Sequence, residues 1–83
     1  MSELKNLIKI VKRLRSEDGC EWDKKQTAES LTPHLLEEAN EVVDAILEKN
    51  NDNLKEELGD LLLHIVFQAV IASEKRLFDI EDI

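Results

Sequence analysis

A helical segment that is apolar around nearly its whole circumference constrains this chain most. Between positions 54 and 71 eleven of the eighteen residues are Leu, Ile, Val, Phe or Ala, and the main polar interruptions are Glu57, Asp60, His64 and Gln68. At about 100° per residue, these four side chains fall within roughly 80° of one another. A helix that is apolar on every side is normally buried on every side. We therefore expect the carboxylates of Glu57 and Asp60 to face a protein interior or a cleft.

A second pair of acids repeats this spacing on the preceding predicted helix. Glu38 and Glu41 lie three residues apart, as Glu57 and Asp60 do, and residues at i and i+3 are neighbours on a helix surface. If the two helices pack antiparallel, the four carboxylates converge. Two like charges about 4 Å apart repel by roughly 4 kcal/mol at an effective dielectric near 20, so such a group needs protons or cations. Oxygen ligands favour hard ions, which predicts a Mg2+ or Mn2+ site.

Simpler interpretations compete with a metal site. Taken alone, Glu38 and Glu41 fit surface charge better than metal ligands, whereas the acids of the apolar helix have no other polar face to occupy. Taken singly, His64 and Gln68 are more typical of hydrogen-bonded core residues than of ligands. A di-iron bundle would need Glu-x-x-His motifs, and neither histidine of the chain follows a glutamate by three positions.

Helical periodicity through the chain predicts an all-α fold. We predict three main helices and a truncated fourth, which end near Arg15, near Lys49, near Lys75 and at the end of the chain. Thr32 is the expected N-cap of the second helix, and Asn53 that of the third. Residues 17–26 are predicted to form a loop, residues 27–31 a short helical turn, and Asp79 to cap the fourth helix.

The predicted helices expose more apolar surface than one chain of this length can cover. The second helix has an apolar face made of Leu35, Ala39, Val42, Val43 and Ile46. The third helix needs cover on all sides, so we expect an antiparallel helical bundle that is completed by dimerisation, as a homodimer or a higher homo-oligomer. The expected interface face consists of Leu62, Leu63, Val66, Phe67 and Val70.

Composition narrows the possible partners and compartment. The chain has 19 Asp and Glu against 11 Lys and Arg, a formal net charge of -8, which argues against nonspecific binding to nucleic acid or to an anionic membrane surface. A single cysteine, Cys20, cannot form an internal disulfide. Nothing resembles a secretory signal or a membrane span, so we expect a cytoplasmic protein.

Several motifs together resemble the MazG-like all-α nucleoside triphosphate pyrophosphohydrolases. The resemblance covers essentially the whole chain, and its motifs are Arg13-Leu14-Arg15, Gly19-Cys20-Glu21-Trp22-Asp23, Gln26-Thr27, Glu37-Glu38-x-x-Glu41 and Glu57-Leu58-Gly59-Asp60. The chain departs from the family pattern at Glu21, where proline is usual. The family also continues with a fourth helix and a basic segment, so we expect residues 1–83 to form a single MazG-like domain without those parts.

The resemblance implies a reaction and a metal site. Such enzymes cleave nucleoside triphosphates between the α and β phosphates, giving a monophosphate and pyrophosphate, and housecleaning of the nucleotide pool is their expected theme. The implied Mg2+ ligands are Glu38, Glu41, Glu57 and Asp60. Glu37 would lie in the outer shell or orient water, and the proton acceptor is either Glu38 or Glu41. The alternative is a catalytically silent copy of the domain that only binds metal and dimerises.

The resemblance also implies substrate contacts from the loop and from nearby lysines. The implied nucleotide-binding residues are Trp22, Asp23, Lys24, Gln26, Thr27 and Lys55. A lone tryptophan is more typical of a core than of a stacking surface, Asp23 and Thr27 fit simple turn caps, and lysines are usually exposed. Gly59 lies inside a helix, where glycine costs about 1 kcal/mol relative to alanine, so we expect a close helix approach there.

Overall fold

Helices account for nearly all the regular structure in residues 2–83, the part of the chain that the computed structural model describes. The elements are α1 (Ser2–Leu14), α2 (Glu21–Lys25), α3 (Thr32–Leu47), α4 (Asn51–Glu74) and a 3-10 turn (Ile80–Asp82). No strand occurs within this range, which confirms the predicted all-α class. None of its helices is both long and apolar enough to cross a bilayer.

The apolar core lies between α1 and α4. Val11 of α1 and Val66 of α4 are fully buried, and Val70 is nearly so. Partly buried side chains of the same two helices pack around them: Leu4, Leu7, Ile8, Leu63 and Phe67. Four of the five residues predicted to form the dimer interface on α4 therefore pack against α1 within the chain, and only Leu62 is exposed. The predicted set of interface residues was wrong.

The face that α3 turns towards α4 differs from the predicted one. Glu38, Val42 and Ala45 are buried, whereas Val43 and Ile46 are about half exposed. The predicted apolar face of α3 is therefore only partly buried within the described part of the chain. The inward face of α3 is partly polar, because Glu38 points to His64 on α4.

Two helix starts also differ from expectation. α4 begins at Asn51, because the side chain of Asn50 caps it by accepting a hydrogen bond from the backbone N–H of Asn53 at 3.2 Å. Asn53 is therefore not the cap. Thr32 is already the first residue of α3 and does not cap it. Asp79 caps the final 3-10 turn as predicted, although the turn is only three residues long.

The segment predicted as a loop contains the short helix α2. Gly19 permits the turn that precedes it, because a Cβ atom there would collide with the backbone carbonyls of Arg13 and Leu14. The backbone N–H of Cys20 donates to the carbonyl of Leu14 at 2.9 Å. This close approach brings the chain back over the end of α1.

Arg15 fastens α2 to the rest of the fold. Its Nη1 donates to the backbone carbonyls of Asp23 at 2.6 Å and of Gln26 at 2.9 Å. Its Nε and Nη2 donate to the two carboxylate oxygens of Glu74 near the end of α4, at 2.8 and 2.9 Å. A planar guanidinium suits this bidentate contact, so one side chain links the ends of α1, α2 and α4.

We expect opposite effects from adding a methyl group at the two glycines of the chain. Gly19→Ala should lower the free energy of unfolding by about 1–3 kcal/mol, because the methyl group meets backbone atoms that cannot yield easily. Gly59→Ala should raise it by up to about 1 kcal/mol, because an added Cβ meets nothing within 4 Å. That open space also shows that the close approach expected at Gly59 does not occur within the chain. Urea unfolding of both variants measures the difference, and equal effects would contradict it.

Candidate functional site

Three of the predicted acids come together between α3 and α4. Glu41 lies on α3, and Glu57 and Asp60 lie on the first half of α4. Each contributes a carboxylate oxygen to a group in which these atoms all lie within 4.8 Å of one another. Asp60 is exposed and Glu57 is half-buried, so the group opens to solvent on one side. We call these three residues the acidic group.

Within the acidic group, the carboxyl group of Glu57 has a raised pKa. Its pKa rises from 4.5 to about 7, because of a hydrogen bond with Glu41, its burial, and the negative charges of Glu41, Asp60 and Glu56. Its Oε2 atom is shielded from solvent and has no hydrogen-bond partner in the described part of the chain. A shielded acceptor without a donor, beside two further carboxylates, is a suitable place for a hard divalent cation.

Glu38 lies one helical turn before Glu41, and a buried histidine holds it. The Nδ1 atom of His64 and the Oε1 atom of Glu38 are 3.0 Å apart, and both side chains are buried. Gln68 Nε2 lies 3.3 Å from the backbone carbonyl of Ala28 and 3.1 Å from His64 Nε2. A carbonyl only accepts, so the Gln68 amide nitrogen must face both atoms. His64 Nε2 then accepts, and the ring proton lies on Nδ1 and is donated to Glu38.

This arrangement confirms that His64 and Gln68 are satisfied core polar residues. It separates Glu38 from the acidic group, because one of its oxygens accepts from His64 and the other, Oε2, lies 3.5 Å from Nε2 of His34. Glu37, the remaining acid of the predicted site, is exposed on α3. The structure thus brings together three of the four expected ligands and holds the fourth beside them.

A cavity of about 270 Å3 adjoins Glu38. Its lining residues are Leu14, Trp22, Asp23, Leu31, His34, Glu38, Leu63, His64 and Phe67. The side chain of Trp22 is not in the core, because the residue is 58% exposed. The expectation that this tryptophan is a core residue was therefore wrong. We call this space the α2 cavity.

The other predicted substrate residues lie around α2 or apart from it. Lys24 pairs with Glu21 at 2.9 Å and donates to the carbonyl of Glu17 at 2.8 Å. Thr27 Oγ1 accepts from the backbone N–H of Ser30, which confirms its role as a turn cap. Gln26 Nε2 donates to the carbonyl of Trp22, and its Oε1 accepts from the Ser30 hydroxyl. Lys55 is exposed on α4. None of these four lines the α2 cavity.

Sequence reasoning did not select His34 as a site residue, although it lines the α2 cavity and lies beside Glu38. Its ring centroid is 6.2 Å from that of His64. The available signal was the spacing of His34 and Glu38, which are four residues apart and therefore neighbours on one face of a helix.

Comparison with known proteins identifies the family of this chain. The sequence profile described as the MazG nucleotide pyrophosphohydrolase domain matches residues 26–83. A Thermotoga maritima protein named nucleoside triphosphate pyrophosphohydrolase/pyrophosphatase MazG is 58% identical over 77 residues, which cover 93% of this chain and 30% of that protein. The nucleoside triphosphate pyrophosphohydrolase of Escherichia coli K12 is 48% identical over 84 residues, covering 100% of this chain and 32% of that protein.

A relative from Mycolicibacterium smegmatis, also named nucleoside triphosphate pyrophosphohydrolase, is 39% identical over 82 residues, covering 96% of this chain and 25% of that protein. The chain therefore spans about a third or less of the length of these curated relatives. Because the profile matches most of the chain and the similarity to these relatives extends over nearly all of it, the chain belongs to the MazG nucleotide pyrophosphohydrolase family.

Proposed function

We propose that this chain is a Mg2+-dependent nucleoside triphosphate pyrophosphohydrolase domain, which converts a nucleoside triphosphate and water into a monophosphate and pyrophosphate. The observation that carries the proposal is the acidic group, in which an oxygen of Glu57 is shielded and has no partner within the described residues. The names of the relatives support the reaction type. Housecleaning of the cytoplasmic nucleotide pool is the proposed setting.

In this proposal Glu41, Glu57 and Asp60 hold the divalent cation, and Mn2+ is an acceptable substitute for Mg2+. Glu38 is the fourth carboxylate of the site, with Oε1 bonded to His64 and Oε2 lying 3.5 Å from Nε2 of His34. Bound Mg2+ would neutralise triphosphate charge and lower the pKa of an attacking water. A cation also removes the objection that an acidic chain repels an anionic substrate.

The protein's own residues supply the proton transfer and the orientation. Glu38 or Glu41 accepts the proton of the water that attacks the α-phosphorus, while the bond to the oxygen that bridges to the β-phosphate breaks and pyrophosphate leaves. The buried contact with His64 holds the Glu38 carboxylate in one orientation. Glu37 is proposed to act through water from the outer face of α3. Lys24 and Lys55 are proposed phosphate contacts, and Trp22, Gln26 and Thr27 proposed neighbours of the nucleoside.

We also propose that the antiparallel helical bundle is completed by a second copy of the chain. Once α1 and α3 cover their share of α4, a third face remains exposed: Leu58, Leu62 and Ile65 are 48%, 41% and 38% exposed. The outer side of α3 adds Leu36 and further exposed apolar residues. Contiguous apolar surface of this kind marks interfaces in soluble proteins.

The activity test is pyrophosphate release from nucleoside triphosphates with Mg2+. We expect Glu41→Gln to lower kcat/KM by about a hundredfold or more, because the amide keeps the shape of the side chain but removes a charged ligand. Glu48→Gln is the matched control, an exposed acid just beyond the end of α3, and should retain activity. A folded, Mg2+-binding chain that turns over no triphosphate would identify it instead as a silent copy of the domain.

The pH dependence of stability tests the acidic group without turnover. Glu57 has a pKa near 7 in the folded chain and an ordinary value of 4.5, so between these values the folded chain binds more protons than the unfolded one. The stability of the metal-free protein relative to Glu57→Gln should therefore fall as pH rises from about 4.5 to about 7, and then level off. Urea unfolding with a chelator measures this difference.

Mg2+ should reverse that trend, because it competes with the proton at Glu57. The affinity for Mg2+ should rise with pH up to about 7, the pKa of Glu57, and change little above it. A difference between wild type and Glu57→Gln that does not change with pH would contradict the proposed role of Glu57.

The proposed dimer predicts a change of mass on a single substitution. Leu62→Glu should convert the dimer into a monomer at about micromolar concentration, because a charge at the centre of an apolar interface is costly to bury. Ile10→Glu is the control, since Ile10 is a similarly exposed apolar residue on α1. Sedimentation equilibrium measures the mass. A wild-type chain that is already a folded monomer at that concentration would refute the proposed dimer.

A further inference from the structure

The α2 cavity has the size of a binding site for part of a nucleotide. Its volume of about 270 Å3 lies just below the roughly 300–1,000 Å3 typical of pockets that hold whole drug-sized ligands. Most of its lining is apolar, and the exposed indole of Trp22 adds a flat aromatic surface. These features suit a planar heterocycle such as a nucleobase, with the phosphates extending past Glu38 towards the acidic group.

One polar side chain in this cavity has no partner. Asp23 is buried, with 9% of its surface exposed, and its carboxylate makes no hydrogen bond or ion pair with any described residue of the chain. His64, by contrast, uses both ring nitrogens, one with Glu38 and one with Gln68. The Asp23 carboxylate is therefore available to accept hydrogen bonds from a ligand in the cavity.

The nearest cations do not satisfy Asp23. Arg15 donates to the backbone carbonyl of Asp23, but its remaining hydrogen bonds go to Gln26 and Glu74. Lys24, the next residue along the chain, pairs with Glu21. The position of the Asp23 backbone is thus fixed by Arg15, while its carboxylate is left without a partner at the α2 cavity.

We propose that the Asp23 carboxylate reads the nucleobase by accepting hydrogen bonds from an exocyclic amino group. The chain would then favour triphosphates of amino-bearing bases (adenine, cytosine, guanine and their modified forms) over those of uracil, thymine and hypoxanthine. This inference deepens the proposed function and rests on it. Because an ionised carboxylate only accepts hydrogen bonds, the keto oxygen that uracil and thymine carry in place of the cytosine amino group would face another acceptor and be repelled. Hypoxanthine lacks the amino donor of guanine and would lose that hydrogen bond.

Matched nucleotide pairs test this preference. Guanosine and inosine triphosphates differ by one amino group, and cytidine and uridine triphosphates differ by an amino group and a keto oxygen at the same ring position. We expect kcat/KM of the wild-type chain to favour the amino-bearing member of each pair by roughly tenfold to a hundredfold, the usual range for a lost hydrogen bond to a charged group. Equal values within both pairs would overturn the proposal, whether or not any variant folds.

Asp23→Asn assigns the preference to this residue. The amide has the same shape as the carboxylate but offers a donor, so the preference within the guanosine and inosine pair should disappear. Within the cytidine and uridine pair it should disappear or reverse in favour of uridine triphosphate. Glu29→Gln is the matched control, an exposed acid between α2 and α3, and should keep the wild-type preference. Thermal unfolding checks that both variants are folded. A folded Asp23→Asn variant with the wild-type preference would overturn the assignment.

Binding separates this inference from the proposed activity. The chain contains a single tryptophan, Trp22, so its fluorescence reports occupation of the α2 cavity. If the chain does not hydrolyse triphosphates, the same four compounds serve as stable ligands, and tighter binding of the amino-bearing members would uphold the inference while the activity proposal fails. Equal affinities within each pair, or no fluorescence change with any of the four, would overturn it.

Discussion

The buried contact between Glu38 and His64 sets the register on which the rest of the site depends. It joins the first half of α3 to the middle of α4 at 3.0 Å, and both partners are shielded from water. One turn later on α3 and one turn earlier on α4, Glu41 then meets Asp60. Because a buried polar pair is worth most when every partner is satisfied, this contact favours one register of α3 against α4.

That register places the mutually repelling carboxylates of the acidic group next to a network of hydrogen-bonded polar side chains. The chain of contacts from Glu38 through His64 to Gln68 leaves no ring nitrogen unpaired, whereas the acidic group one turn away holds three carboxylates with no cationic side chain among them. Its strain appears as the raised pKa of Glu57. Either a bound proton or a bound cation relieves the repulsion among these three carboxylates. The fold can therefore place the three acids together at a limited cost in stability.

The sequence predicted which acids form the site better than it predicted how α3 packs against α4. Helical period and the doubled three-residue spacing predicted an all-α fold and the meeting of Glu41 with Glu57 and Asp60. They did not predict that Glu38 would turn to a histidine, because a periodicity analysis treats every acid on a face alike and His64 competes for the same carboxylate. The cap of α4 shifted by three residues because four consecutive positions, all Asn or Asp, can each supply a capping oxygen.

The conformation of the short helix α2 is determined by tertiary contacts and cannot be predicted from sequence periodicity. Five residues are too few to display a helical period or to be stable alone, so the segment predicts only a loop. In the fold, Gly19 lets the chain pass close to the end of α1, and Arg15 clamps the carbonyls of α2 while it pairs with Glu74 of α4. These contacts hold backbone rather than side chains. They leave the Trp22 indole exposed, and the Asp23 carboxylate has no hydrogen-bond partner among the described residues. The contacts that stabilise the turn therefore also present two groups that a ligand in the cavity can contact.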